Sequence, residues 1–154
     1  MRTITCYKLF QTKRTAPGRI FPLFIGKDKP TPIGEWVPAQ FLPTDGFAPR
    51  PGWHVGPLPK AQHLMCKDGT MPASRVWAQV EILADVDYTP LAAIAPTKDL
   101  RGQVPHGGYY RFPRPINQGG EWIIAGQIRV LRLLSEEEVQ QILNNAHDTQ
   151  AALV

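Results

Sequence analysis

Arg75-Val76-Trp77-Ala78-Gln79-Val80-Glu81-Ile82 is the stretch that decides the fold class. Val76, Ala78, Val80 and Ile82 fall on one side of a two-residue period, and Arg75, Trp77, Gln79 and Glu81 on the other. A period of two is that of a strand with one face buried, which is the usual state in antiparallel sheets.

On either side of it the same chemistry recurs in short pieces. Thr3-Ile4-Thr5-Cys6-Tyr7-Lys8-Leu9-Phe10 is rich in β-branched and aromatic residues and predicts a strand. Residues 11–18 predict a turn, and residues 19–25 a returning strand that completes a hairpin, with Pro22 confining it to an edge or bulge. Residues 35–39 and 53–56 predict short extended segments between Pro/Gly loops. Pro59 suits the first turn of a short helix over residues 57–65. Residues 84–108 hold little periodicity and predict a long cover loop. Tyr109-Tyr110-Arg111-Phe112 predicts a strand with Tyr109 and Arg111 on one face and Tyr110 and Phe112 on the other. Residues 114–120 predict a turn. Glu121 to Ala125 and Gln127 to Leu133 predict strands broken at Gly126. Ser135 with Glu138 three residues on is a capping box, which opens a helix over residues 135–150. Its expected buried stripe is Val139, Ile142, Leu143 and Ala146. The expected class is α+β: mostly antiparallel short strands, one short middle helix and one C-terminal helix, in a single domain spanning residues 1–154.

Composition agrees. A hydrophobic fraction of 43% excludes a disordered chain, and 19% charged residues exclude a long charged helix. Gly 13 and Pro 16 in 154 residues favour turns and short strands over long helices. No βαβ rhythm and no Gly-rich phosphate loop is present. The start alternates and lacks an apolar leader core, and no run is long enough to span a bilayer, so a cytoplasmic protein without membrane contact is expected. Cys6 and Cys66 form no CxxC pair, and His54, His63 and His106 match no compact ligand spacing, so no metal is expected. The net charge of +4 is uneven: residues 1–60 carry +6, residues 61–100 carry −2, residues 101–134 carry +4 and residues 135–154 carry −4. Such a basic body can attract a polyanion.

Three constellations carry candidate chemistry. In Arg50-Pro51-Gly52-Trp53-His54-Val55-Gly56 an imidazole stands beside an indole, with an arginine to hold a phosphate. Alternation sets Trp53 and His54 on opposite faces. Tyr109, Tyr110 and Arg111 combine aromatic stacking with a cation. Glu121 enters a strand directly after Gly119-Gly120, where a carboxylate can meet a ligand hydroxyl or a developing positive charge. Glu81 is the rival carboxylate.

The order of His54, the tyrosines at 109–110, and Glu121 ahead of Ile128-Arg129-Val130-Leu131 resembles the ADP-ribosyltransferase superfamily in its histidine–tyrosine–glutamate form. That resemblance implies an NAD-dependent ADP-ribosyltransferase or NAD glycohydrolase. His54 would contact the ribose and nicotinamide amide, and Tyr109 or Tyr110 would stack on nicotinamide, with Trp77 and Tyr88 as alternatives. Glu121 would stabilise the oxocarbenium-like state. On this basis His54, Tyr110 and Glu121 are the candidate catalytic residues, and Arg50, Trp53, Tyr109 and Arg111 the candidate NAD-binding residues. The chain also looks like phage or prophage-borne proteins with an Arg-Pro-Gly-Trp-His segment. The alternative expectations are a non-catalytic module of a phage or mobile element that binds nucleic acid or protein, and a structural accessory protein.

Overall fold

The computed structural model describes residues 1–23, 27–39, 52–90 and 104–152. Arg50 and residues 91–103 of the expected cover loop lie outside the described residues. The strands are β1 Thr3–Gln11, β2 Trp36–Pro38, β3 Trp53–Val55, β4 Arg75–Leu83, β5 Val86–Asp87, β6 Gly108–Pro113, β7 Glu121–Ala125 and β8 Gln127–Leu133, followed by helix α1 Glu136–Ala152. They form two four-stranded sheets, ordered β1-β4-β8-β2 and β3-β7-β6-β5. Every pairing is antiparallel except β5 with β6. The α+β, mostly strand class is that expected from the alternation.

β4 is central to the first sheet, and its alternation is realised: Ala78, Val80 and Ile82 are fully buried, and Val76 packs against the core from a partly buried position. They meet Cys6, Phe10, Ile128 and Val130 from the same sheet and Val55, Tyr109, Ile123 and Ala125 from the other. The apolar core lies between the two sheets. On the opposite side of β4, Glu81 pairs across the register with Arg129, whose guanidinium also lies 4.9 Å from the Trp36 ring centroid. Opposed charges at facing positions stabilise the register that the core demands.

The sheets are joined at two corners. Tyr7 and Gly56 exchange backbone hydrogen bonds of 2.8 and 2.9 Å, linking β1 to the end of β3. At the other corner the chain passes from β7 into β8 through Gly126. The Gly126 N–H donates to the Gly108 carbonyl at 3.0 Å, and its carbonyl accepts from the Ala39 N–H at 2.9 Å. The break expected at Gly126 is thus the point where one long strand changes sheets.

Two expected elements are smaller than their sequence suggests. Residues 19–23 form no strand. Ile20 and Phe21 make isolated bridges to Thr31 and Gln11, and the next residue is Pro22, which has no N–H to extend a ladder. The remainder of that expected strand lies outside the described residues. Within residues 57–65, helical geometry is confined to a 3-10 turn at Gln62–Leu64. Pro57 and Pro59 push Gly56 and Leu58 out of helical space, which removes the start of the expected helix.

The C-terminal helix begins as expected. The Glu138 N–H donates to Ser135 Oγ at 3.1 Å, and the Ser135 N–H donates to Glu138 Oε1 at 3.2 Å. Hydrogen bonds from Arg132 and from the Ser135 N–H hold the Glu138 carboxyl below its ordinary value. Ser135→Ala is expected to cost about 1 kcal/mol through loss of this cap. Chemical denaturation checks it, and an unchanged midpoint would remove the cap from the stability of the domain. The stripe of Val139, Ile142, Leu143 and Ala146 is only half-buried. The two sheets already cover each other's apolar faces, so the helix is not required to close the core. Among the described residues no helix is long and apolar enough to cross a membrane.

Candidate functional site

β3 is the edge strand of its sheet, and a cavity of about 540 Å³ runs along it. The other walls come from β1, β2, residues 29–32 and residues 56–64. Its described lining includes the cations Lys8, Lys29, Lys60 and Arg114, the indoles of Trp53, Trp77 and Trp122, and the imidazoles of His54 and His63. No Asp or Glu is among the described lining residues.

Register and alternation place these side chains. Val55, Ile123 and Arg111 stand in one row across β3, β7 and β6, and His54, Ile124 and Tyr110 in the next. Trp53, Val55, Tyr109, Arg111, Glu121, Ile123 and Ala125 therefore share the face turned toward the core. His54, Tyr110, Phe112, Trp122 and Ile124 share the other. Trp53 and His54 do point to opposite faces, as expected. Both still line the cavity, because an edge strand is open along its side.

On the outer face His54 sits in an aromatic nest. Its ring is 4.6 Å from Trp122, edge to face, and 5.7 Å from Phe112, stacked. His63 lies 5.4 Å from Trp122, and the Arg114 guanidinium 4.2 Å from the same ring. Partial desolvation, and after it the charge of Arg114, lower the His63 pKa, which favours the neutral imidazole. Around the edge, the Trp53 indole N–H donates to the Val37 carbonyl at 3.0 Å. Lys8 Nζ donates to the His54 carbonyl at 2.9 Å and lies 5.7 Å from the Trp53 ring centroid. Aromatic faces bear negative potential, so Lys8 and Arg114 are each held where an indole already attracts them.

Glu121, Arg111 and Tyr109 belong to a different network. Arg111 Nη1 donates to Glu121 Oε1 at 2.5 Å, and the guanidinium lies 5.7 Å from the Tyr109 ring centroid. The Arg111 N–H donates to the Thr89 hydroxyl at 3.0 Å, and the Thr89 N–H to Asp87 at 2.8 Å. Burial works to raise the Asp87 carboxyl, but the Thr89 hydrogen bonds and the Arg111 charge outweigh it and hold it below its ordinary value. Burial also opposes the Arg111 charge, yet Glu121 raises the guanidinium overall. This network borders the core. Burial pushes the Cys6 thiol up to about 12, with Arg111 lowering it and Glu121 raising it.

The structure thus brings Trp53 and His54 to the cavity and leaves Glu121 outside its described lining, on the face opposite His54 and engaged by Arg111. Tyr110 shares the His54 face, where burial raises its phenol; Ile124 stands between them in the row. Tyr109 is buried at 9% exposure. The residues not assigned to the site from sequence are Lys8, Lys29, Lys60 and Arg114, together with Trp122 and His63 as its aromatic wall. Arg114 and Trp122 flank the Gly119-Gly120 turn, so their approach across a hairpin was the one readable signal. Lys60 and His63 reach the site through packing of the 3-10 turn at Gln62–Leu64 against the one at Ile116–Gln118, which has no sequence signature. Among the described residues no group of three or more His, Cys, Asp or Glu side chains could hold a metal ion, and both cysteines are free thiols. Comparison with protein-family models, curated proteins and solved structures found no match to this chain.

Proposed function

We propose that the protein is a non-catalytic binding module whose ligand is a nucleic acid held in the cleft along β3. One observation carries this reading: the described lining combines four cations and three indoles with no carboxylate. Lysine and arginine facing a common cleft release counterions from a phosphate backbone, and indoles supply stacking surfaces for bases. The surplus of +6 in residues 1–60 adds a long-range attraction of the same sign. Titration of single- and double-stranded DNA and RNA at low and moderate salt tests it. The expected result is binding that weakens steeply as salt rises. Absence of binding at low salt would remove the reading.

A second reading is NAD binding with glycohydrolase or ADP-ribosyl transfer activity. The observation in its favour is that Trp53 and His54 line a cavity of about 540 Å³, a volume typical of small-molecule sites. It requires a carboxylate at the ribose, and Glu121 is not among the described lining residues and is paired with Arg111. The check is nicotinamide release from NAD by the wild type and by Glu121→Gln. A fall of about 100-fold or more would support a transition-state role for Glu121. Equal release by both proteins would exclude that role, and no release by the wild type would leave binding alone.

A further inference from the structure

The corner of the cleft where Arg114 lies over Trp122 is more organised than a general basic surface. The connection between β6 and β7 is closed by the Arg114 N–H donating to the Gly120 carbonyl at 3.0 Å and the Gly120 N–H donating to the Pro115 carbonyl at 3.1 Å. Gly119 and Gly120 have φ of +97° and +84°, a left-handed pair that side chains rarely adopt. This reversal brings Gln118 under both partners. Its side-chain Oε1 accepts from Arg114 Nε at 3.0 Å and Nη2 at 2.7 Å, and its backbone carbonyl accepts from the Trp122 indole N–H at 3.1 Å.

Gln118 therefore pins the guanidinium and the indole together, with 4.2 Å between the guanidinium carbon and the ring centroid. One edge of Arg114 is spent on a neutral amide, so its charge is not cancelled there. Its Nη1 makes no hydrogen bond among the described residues. The guanidinium carbon lies over the indole, and Arg114 is half-buried and lines the cavity with Trp122, which places the pair where a flat group in the cleft can reach it. The rotamer entropy of Arg114 is already lost before any ligand arrives. Lys60 borders the same cavity, held beside the turn by the packed 3-10 segments.

We propose that the Arg114–Trp122 pair is a stacking position for one unpaired base, with Lys60 taking an adjacent phosphate, so that the cleft selects single-stranded over double-stranded nucleic acid. This rests on the nucleic-acid reading above and sharpens it. Bases in a duplex are stacked on one another and cannot lie on a protein guanidinium, whereas unpaired bases stack readily on arginine and aromatic planes.

The test uses the full chain and five probes of matched length: an oligothymidylate, an oligouridylate, an abasic oligomer, inorganic polyphosphate and a duplex. Trp fluorescence and probe anisotropy report binding. The expected result is that one or both base-bearing single strands bind at least about tenfold tighter than the abasic oligomer, the polyphosphate and the duplex. Arg114→Lys keeps the charge and loses the planar surface. It is expected to weaken the base-bearing strand by about tenfold and to leave the abasic oligomer unchanged. Lys60→Gln is expected to weaken both equally, which separates phosphate contact from stacking. If the abasic oligomer binds as tightly as the base-bearing strands and Arg114→Lys behaves as wild type, the stacking position is overturned while the polyanion-binding reading stands. If no probe binds at low salt, both fall.

Discussion

Gly126→Ala is expected to destabilise the fold by at least ~3 kcal/mol, beyond the usual range for overpacking. A Cβ at Gly126 would fall far inside contact distance of the Pro105 carbonyl and 2.9 Å from the Cα of His106. Both obstacles are backbone, so no side-chain rotation relieves them. The position is also the corner at which the chain leaves one sheet for the other, and its N–H and carbonyl are both in use. Relief would separate β6 from β7 or pull Ala39 off the junction. The control is Gly107→Ala, whose Cβ would lie 3.4 Å from an Asp85 side-chain oxygen, an ordinary contact. That variant should stay within about 0.5 kcal/mol of wild type. Denaturant midpoints of the two variants check the contrast. Equal and small effects would mean that the segment at residues 105–106 yields to Gly126, and that the corner is not a fixed point of the fold.

The double variant Lys60→Gln with Arg114→Gln should lose about 100-fold in affinity for a single strand at low salt, on the scale of one charge-assisted phosphate contact and one stacked base. The mechanism predicts more than a weaker complex. Lys60 is the phosphate contact of the two, and each phosphate contact removed lowers the slope of log K against log salt by about 0.7 for single strands, so the double variant should be shallower by about 0.7. Both residues are half-buried at the rim of the cleft rather than in the core, so unfolding does not explain such a loss. Titrations at several salt concentrations, beside thermal melts of the free proteins, separate the two causes. A lower affinity with an unchanged slope would show that Lys60 does not meet a phosphate.

Some of this was readable from local pattern. The alternation in residues 75–82 announced the central strand, because a two-residue period has one structural meaning at that length. The capping box at Ser135 and Glu138 announced the helix start, since its two hydrogen bonds need only neighbouring residues. The same two-residue period correctly paired Tyr109 with Arg111 and Tyr110 with Phe112. It also set Trp53 and His54 apart.

What the period does not contain is which face the rest of the molecule covers. In β3, β6 and β7 both faces carry apolar and polar side chains, so alternation sorts residues into two sets without saying which set turns inward. That choice belongs to the packing of the two sheets. It placed Glu121 and Arg111 beside Cys6 and left His54 and Trp122 on the other side. The burial of the helix stripe was equally out of reach, because it depends on how fully the sheets cover each other. Lys8, Lys60 and Arg114 come from separate parts of the chain and meet only because β3 is an edge strand and two 3-10 turns pack together. Local sequence determined the longer strands, the two alternating side-chain sets of each and the helix cap, all set by interactions a few residues long. Tertiary structure alone decided the site, because a cleft is made where segments distant in sequence fail to cover one another.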